Sequence, residues 1–174
     1  WPVDAIGLNC SVGPKATLRW TAADGVDADG NPNQEARGIS GTTVRFRTAN
    51  WRSGFGAWRT YTTTTASAVN LSLTVGYTYC VQVQTRDLSG NPSAWSPTTC
   101  TVRPLDDRAL TAGSGWTRKS SSHYYKLTFT KTTGKGRVLT FPKARSRHLA
   151  VVAATCTTCG AVRARCEQNS TMRA

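Results

Sequence analysis

Residues with β-branched or aromatic side chains alternate with polar residues in short stretches along the N-terminal part of the chain. In residues 77–85, Tyr79, Val81 and Val83 fall on one face, and polar residues together with Cys80 fall on the other. A period of two residues is typical of a β-strand that is buried on one side. A turn with Gly90, which can adopt a positive φ angle, follows. The pattern therefore predicts a strand, a turn and a returning strand at residues 94–102.

Four earlier segments show the same alternation and extend the prediction to a whole domain. They are residues 16–20, 43–48, 57–62 and 68–75. No segment places apolar residues at helical spacing between capping residues, so α-helices are not expected. Short strands of this number, packed into about 100 residues, are typical of a β-sandwich.

Several of these segments resemble parts of a fibronectin type III domain. The sequence ATLRW at residues 16–20 resembles the second strand of that fold, with Trp20 as its buried tryptophan. Residues 73–83 resemble the leucine, glycine-turn and tyrosine region near its end, and residues 93–96 resemble its final hairpin. The resemblance is closest to domains of secreted actinobacterial proteins, which carry a cysteine in each of the last two strands. It implies a spacer or binding module at residues 1–104.

Pro104 ends the last strand of this domain because proline cannot donate a ladder hydrogen bond. Around Trp116 and Tyr124, the chain is similar to the opening of a carbohydrate-binding jelly roll found in the same secreted proteins. Further strands are expected at residues 124–130, 137–141 and 148–154. A complete jelly roll needs about eight strands, so the domain is reduced, the chain is truncated, or a neighbouring chain supplies the missing strands. The predicted fold class is all-β: a fibronectin type III-like sandwich at 1–104 and a smaller β-domain, a partial jelly roll, at 105–174.

Charge is distributed unevenly between the two parts. The chain has 22 lysines and arginines against 9 acidic residues, for a net charge of +13, and residues 106–174 carry +10 of it. A basic surface of this density attracts polyanions such as cell-wall phosphates, acidic glycans or nucleic acid. The alternative is that the charge only keeps the protein soluble.

Aromatic and basic residues are interleaved in two places, and exposed rings beside cations can hold sugars or bases and their acidic groups. In the first stretch, residues 45–59, we expect Phe46 and Trp58 to point into the core while arginines such as Arg45 and Arg47 cover the sheet with their aliphatic stems. In the second stretch, residues 116–126, the adjacent Tyr124 and Tyr125 must face opposite sides of a regular strand, so one of them is exposed. The predicted ligand-binding residues are therefore Trp116, Arg118, Lys119, Tyr124, Tyr125 and Lys126.

An even number of cysteines in a chain rich in Thr, Ser and Gly predicts disulfides and an oxidising compartment. Cys80 and Cys100 lie on strands expected to be adjacent, so we predict a disulfide between them on the sheet surface, away from the core. For Cys156 and Cys159 a turn disulfide is expected rather than a redox pair, and Cys10 and Cys166 either pair or stay free. Six reduced core thiols are the alternative.

Metal and catalytic sites have weak support. His148, Cys156, Cys159 and Cys166 offer one nitrogen and three sulfurs for zinc, but at an unfamiliar spacing. Oxygen ligands for calcium are available in one acidic stretch, although Pro32 stands where a calcium loop requires glycine and an ordinary turn explains the composition equally well. These weak calcium candidates are Asp27, Asp29, Asn31 and Glu35. There is no nucleophile elbow and no glycine-rich phosphate loop, so the protein is predicted not to be an enzyme and to need no cofactor.

The favoured function is an extracellular, non-catalytic binding or adhesion module for cell-surface or cell-wall glycans or polyanions. The chain begins with Trp1, as expected of a processed, secreted product, with the cell wall as one location. The longest apolar run, residues 149–154, is shorter than the roughly 20 residues that span a bilayer. One alternative is a structural subunit that self-associates by β-strand complementation. Another is a secreted nucleic-acid-binding protein, which charge alone supports.

Overall fold

The computed structural model describes residues 13–22, 38–144, 151–154, 157 and 159–161. The N-terminal part is all-β, with two antiparallel sheets that face each other. Strands β1 (Lys15–Arg19) and β4 (Ala68–Ser72) pair in one sheet. The other sheet has the order β3-β2-β5-β6, formed by Arg59–Thr64, Ile39–Asn50, Tyr77–Asp87 and Thr99–Val102. This arrangement is the predicted β-sandwich.

The core lies between the two sheets and follows the alternation seen in the sequence. Tyr79, Val81 and Val83 of β5 are all buried, as predicted. They pack with Leu18 of β1 and the neighbouring Trp20, which is also buried as predicted. Burying aliphatic side chains of this size stabilises the fold by about 2 kcal/mol each. The remaining buried core side chains are Ala16, Val44, Leu71 and Leu73.

A disulfide joins Cys80 of β5 to Cys100 of β6, confirming that predicted pair. The two residues are direct partners in the antiparallel register. Cys100 is exposed, but only 1% of Cys80 is accessible, so the expectation of a surface position holds for one sulfur only. Cys80 is covered because Arg47 lies opposite it on β2 while Cys100 lies on its other side. Closing this 20-residue separation stabilises the fold by roughly 3 kcal/mol.

The last strand of the sandwich begins later than the sequence predicted, at Thr99 rather than near residue 94. Before it, Ser93 and Ser96 take the place of a regular ladder. The Ser96 hydroxyl accepts a hydrogen bond from the Val83 amide at 3.0 Å, and the Ser93 hydroxyl accepts one from the Thr85 amide at 3.1 Å. Pro97 has no amide hydrogen to contribute. The serine hydroxyls therefore accept from the β5 amides where strand carbonyls would otherwise do so, while the Ser93 and Ser96 amides still donate to the Thr85 and Val83 carbonyls.

A β-bulge interrupts the pairing of β2 with β3. Val44 pairs with Thr62, but the next residue, Arg45, pairs with Thr60, so Tyr61 is an extra residue on β3. One extra residue reverses the alternation of every side chain beyond it. Arg59, now paired with Phe46, lies on the inner side of the sheet. The bulge is the reason that Trp58 does not follow the predicted inward direction.

The described residues after Pro104 form two small ladders instead of the longer strands expected. Strand β7 (Thr111–Ala112) pairs with β10 (Leu139–Thr140), and β8 (Thr117–Ser120) pairs with β9 (Thr128–Lys131). The expected strand at 124–130 is wrong over its first half, because a tight turn of backbone hydrogen bonds between Ser121 and Leu127 occupies it. Residues 151–154 form no strand either. The partial jelly roll stays a prediction.

Among the described residues, contacts at three places attach this C-terminal segment to the sandwich. The Trp51 and Phe141 rings lie 4.4 Å apart between centroids. The Tyr125 hydroxyl donates a 2.8 Å hydrogen bond to the Pro104 carbonyl. Leu105 packs against Gly76, whose φ of +78° belongs to the turn before β5. No helix in the part of the chain described here is long and apolar enough to cross a bilayer.

Candidate functional site

The predicted ligand-binding residues of the C-terminal segment separate into structural and surface groups. Trp116 is half-buried, and its indole N–H donates to the Val138 carbonyl at 3.0 Å. Arg118 donates to the Leu110 carbonyl, and Tyr125 is tied to Pro104. Each of these three polar groups has an intramolecular partner, so these side chains hold the segment together.

Lys119 and Tyr124 lie on the side of the β8–β9 hairpin that faces away from the Arg118 side chain. Lys119 pairs directly with Phe129 across the ladder, and the Tyr124 ring stacks on Phe129 with centroids 4.3 Å apart. Thr117 and Lys131 form the next pair on this side. We call the surface formed by Lys119, Tyr124, Phe129 and Lys131 the hairpin face. It combines two cations with a stacked pair of rings, of which Tyr124 is 37% exposed.

The reverse side of the hairpin fixes its position. The Asp107 carboxylate accepts hydrogen bonds from the hydroxyls of Thr128 and Thr130. Because Thr128 and Thr130 alternate with Phe129 along β9, these bonds direct Phe129 away from Asp107. Lys126, the sixth predicted residue, is exposed in the turn with a φ of 56°, and Leu127 follows with a φ of 64°. Two consecutive non-glycine residues in the left-handed region mark a strained turn beside the hairpin face.

The acidic residues of the described chain form hydrogen bonds with groups other than the lysines of the hairpin face. They are Asp87, Asp106 and Asp107. Arg108 forms a bidentate pair with Asp106, and its hydrogen bond lowers the pKa of Asp106 to about 2, outweighing the opposite effect of burial. A hydrogen bond from the Asn91 side chain lowers the pKa of Asp87. No carboxylate in the described part of the chain neutralises Lys119 or Lys131.

On the sandwich, the outer face of the four-stranded sheet carries alternating arginines and aromatic rings. The Arg45 guanidinium lies 3.6 Å from the Trp95 ring centre and 4.8 Å from that of Trp58. Arg47 lies 4.7 Å from Trp58 and 4.9 Å from Phe55. The prediction that the arginines cover this face is confirmed, but the core position expected for Trp58 is wrong, because the bulge turns Trp58 toward Arg47. Guanidinium groups stacked in this way stabilise the sheet and also give its surface a positive charge.

On one side of the sandwich, the two sheets leave a cleft of about 380 Å³, which we call the aromatic cleft. Four rings line it, from Phe46, Tyr61, Tyr77 and Tyr79. The Arg59 guanidinium lies 5.1 Å from the centre of the Phe46 ring. The alternation of residues does not predict this site, because Arg59 and Tyr61 share its lining only through the bulge. A bulge in a run of threonines leaves no signal in the pattern of residues.

Most of the remaining predicted site residues lie outside the described residues. They are the calcium candidates Asp27, Asp29, Asn31 and Glu35, the zinc candidate His148, and Cys10, Cys156 and Cys166. Cys159 is described and takes part in a disulfide. Its sulfur is therefore not the thiolate that the zinc alternative requires.

Comparison with known proteins identifies the type of the N-terminal domain. The family model described as "Interferon-alpha/beta receptor, fibronectin type III" matches residues 26–104. Among solved structures, the fibronectin type-III domain of human fibronectin type III domain containing protein 3 is similar at 17% identity and a TM-score of 0.37, covering 61% of this chain and 87% of that one. The twitchin kinase region from C. elegans is similar at 14% identity and a TM-score of 0.38, covering 65% of this chain and 18% of that one.

The search of curated proteins found no match to this chain. The family match and the two facing sheets support one conclusion about the sandwich. It is a fibronectin type III-like domain, a domain type that commonly serves in binding or adhesion. The actinobacterial origin inferred from the resemblance stays a prediction.

Proposed function

We propose that the protein is an extracellular, non-catalytic binding module whose hairpin face binds an acidic glycan. The observation that carries the proposal is the composition of that face. Lys119 and Lys131 supply positive charge with no described carboxylate to neutralise it, and Tyr124 supplies an exposed ring beside them. The cations attract the sulfate or carboxylate groups of the glycan, and the ring stacks on the apolar face of a sugar.

The rigidity of the hairpin supports this function. Asp107 fixes the reverse side through Thr128 and Thr130, and Phe129 supports the Tyr124 ring from below. A ligand therefore meets rings that are already ordered, which reduces the entropy cost of binding. The disulfide between Cys80 and Cys100 is consistent with an extracellular location, since such bonds persist in oxidising compartments.

Binding of a sulfated polysaccharide to the whole chain, measured by calorimetry, tests the proposal. A neutral polysaccharide is the comparison ligand, and each titration is repeated at about 50 and 500 mM salt, because salt screens exposed charges. The sulfated ligand is expected to bind and to weaken as salt rises. Equal binding of the neutral ligand, or no binding of either, contradicts the proposal.

Two variants locate the site. The double substitution Lys119→Ala/Lys131→Ala is expected to weaken binding about tenfold or more, on the basis of about 1 kcal/mol for each lost ionic contact. The matched control Lys15→Ala/Arg19→Ala removes the same charge from the exposed positions of β1 and is expected to change binding less than twofold. An equal loss in both variants indicates attraction by net charge alone and contradicts a site on the hairpin face.

Tyr124→Ser separates glycan binding from simple polyanion binding. Loss of the ring is expected to weaken the sulfated polysaccharide several-fold while leaving binding of inorganic polyphosphate unchanged, because polyphosphate has no apolar face to stack. Duplex DNA as a third ligand tests the nucleic-acid alternative. Tighter binding of DNA than of the polysaccharide at both salt concentrations favours that alternative.

A further inference from the structure

The aromatic cleft lies between the two sheets of the sandwich and shares no lining residue with the hairpin face. Its walls come from both sheets, with Phe46 and Thr48 on β2, Arg59 and Tyr61 on β3, and Leu71 and Ser72 on β4. At about 380 Å³, it falls near the lower end of the volumes found for small-molecule sites. It is therefore suited to a small ligand such as a single sugar unit.

Intramolecular bonds hold the rings of the cleft in place. The Tyr61 hydroxyl donates to the Asn70 carbonyl at 2.6 Å, connecting β3 to β4. The Tyr79 hydroxyl accepts a 2.9 Å bond from the Thr74 amide. Phe46 lies between them, edge-on to Tyr61 at 5.9 Å and stacked with Tyr79 at 6.3 Å. The apolar part of the cleft is ordered before any ligand arrives.

Several polar groups around these rings have no hydrogen-bond partner among the described residues. The side-chain hydroxyls of Thr48, Ser72, Thr74 and Tyr77 make no hydrogen bond with the described part of the chain. Within the described residues, the Arg59 guanidinium makes no hydrogen bond or ion pair and lies over the face of Phe46. None of the described residues that line the cleft is acidic. Four hydroxyls and one cation thus surround an aromatic floor, and none of the described residues uses their hydrogen-bonding capacity.

A carboxylated sugar matches this combination of groups. A pyranose ring has an apolar C–H face that stacks on aromatic rings and a rim of hydroxyls that exchange hydrogen bonds with serine, threonine and tyrosine. A carboxylate at its edge forms the paired hydrogen bonds that a guanidinium favours. A purely apolar ligand would leave the four hydroxyls unsatisfied, at a cost for each.

We propose that the aromatic cleft is a second binding site, which takes a single uronic acid unit with its carboxylate on Arg59. This site lies beyond the proposed function because it uses none of the residues of the hairpin face. Together the two sites give one chain two separate contacts with an acidic polysaccharide, and linked contacts of this kind raise the overall affinity.

The experiment titrates the whole chain with galacturonic acid and follows backbone amide chemical shifts. The expected result is saturable shifts at Thr48, Ser72 and Thr74, with little change at Lys119 or Lys131. Arg59→Ala is expected to weaken this binding about tenfold, and Arg59→Lys is expected to recover part of it, because lysine keeps the charge but not the forked geometry. Tyr77→Phe is expected to weaken binding about threefold through loss of one hydroxyl.

Arg52→Ala is the matched control. Arg52 is an exposed arginine stacked on a ring, 4.0 Å from the centre of Trp51, but it lies outside the cleft. The Arg52→Ala variant is expected to bind galacturonic acid with the same affinity as the parent chain. Equal weakening by Arg52→Ala and Arg59→Ala overturns the proposal, as does the absence of shifts at the cleft amides. Galactose, which lacks the carboxylate, is expected to bind at least about tenfold more weakly, and equal binding overturns the role of Arg59.

The variant Lys119→Ala/Lys131→Ala keeps this test separate from the one for the hairpin face. If the cleft binds galacturonic acid, the double variant is expected to retain the cleft shifts in full. Loss of the shifts in this variant overturns a separate second site. If the hairpin face binds no polysaccharide while the cleft shifts persist, the proposed function fails and the cleft proposal stands.

Discussion

The Arg45 guanidinium lies 3.6 Å from the centre of the Trp95 ring, joining the sheet to the segment before its last strand. The same group donates hydrogen bonds of 3.0 and 2.7 Å to the Gln82 side chain on β5. Gln82 in turn donates to the Ser96 carbonyl at 2.9 Å. Arg45 thus connects three parts of the outer face through contacts that a shorter or uncharged side chain cannot reproduce.

We expect Arg45→Ala to lower the free energy of unfolding by about 2 kcal/mol, the sum of a stacked cation and a charge-assisted hydrogen bond. Arg45→Lys should recover less than half of this loss, because lysine has no planar group to stack or to form the paired bond. Urea unfolding followed by tryptophan fluorescence measures the free energy of unfolding of both variants. Arg52→Ala, which removes an exposed arginine side chain that stacks on Trp51 and makes no hydrogen bond within the described residues, is the control and is expected to cost less than about 1 kcal/mol. Equal losses for Arg45→Ala and Arg52→Ala would contradict the connecting role.

Ser96 replaces a strand partner for β5, and its removal tests that role. Ser96→Ala leaves the buried Val83 amide without the hydroxyl that accepts its hydrogen bond, so the expected loss of stability is about 1 to 3 kcal/mol. Ser114→Ala, at an exposed position with no such bond, should stay within about 0.5 kcal/mol of the parent. Hydrogen exchange at the Val83 amide provides a local measurement. Unchanged protection of this amide in the Ser96 variant would show that another group satisfies it.

The contact between Gly76 and Leu105 makes the join between the sandwich and the following segment sensitive to one methyl group. A Cβ at residue 76 would lie 2.6 Å from the Leu105 side chain, and the φ of +78° is unfavourable for alanine. Gly76→Ala is expected to cost about 1 to 3 kcal/mol. Gly56→Ala, where a Cβ meets nothing within 4 Å, is the control. Combining Gly76→Ala with Leu105→Ala should relieve the steric part of the cost, and a fully additive loss would argue against the contact.

The pair of Asp106 and Arg108 gives the protein a defined response to acid. The pKa of Asp106 is lowered in the folded chain from 3.8 to about 2. A carboxylate with a depressed pKa contributes stability that is fully present above its unfolded pKa and is lost as pH falls through its folded pKa. Stability should therefore decline as pH falls from about 4 to about 2. The lowered pKa of Asp87 acts in the same direction.

Thermal unfolding of the parent and of Asp106→Asn across this range isolates the contribution of Asp106. The variant is expected to be less stable at pH 7 and to show a flatter decline between pH 4 and 2, since asparagine does not titrate. An identical slope in the two proteins would assign the acid response to other carboxylates.

The strands of the sandwich were predictable because burial on one side of a sheet imposes an alternation that the sequence displays. Residues 77–85 illustrate this, since the predicted inner side chains Tyr79, Val81 and Val83 are the buried ones. The sequence predicts the start of β6 too early because Ser93 and Ser96 occur in an otherwise strand-like run. Their hydroxyls replace ladder bonds, and no local pattern distinguishes such a serine from one on a strand.

The candidate site was less accessible to sequence reasoning. Charge and aromatic spacing indicate Lys119 and Tyr124 of the hairpin face, but they do not separate these residues from Trp116, Arg118 and Tyr125. The polar groups of those three residues donate to backbone carbonyls 8 to 22 residues away. The aromatic cleft depends on pairings between four strands and on the single extra residue in β3. Contacts of this kind arise only when distant segments meet, so composition and periodicity carry no trace of them.

The bulge at Tyr61 makes two surfaces of the sandwich depend on the length of one strand. Removing a single residue there would carry Trp58 inward and Arg59 outward, breaking the stack on one side and removing the cation from the cleft on the other. Point substitutions can change either surface alone, whereas insertions and deletions in β3 must change both together. During divergence of this chain, the two surfaces are therefore inherited or lost as a unit whenever the strand changes length.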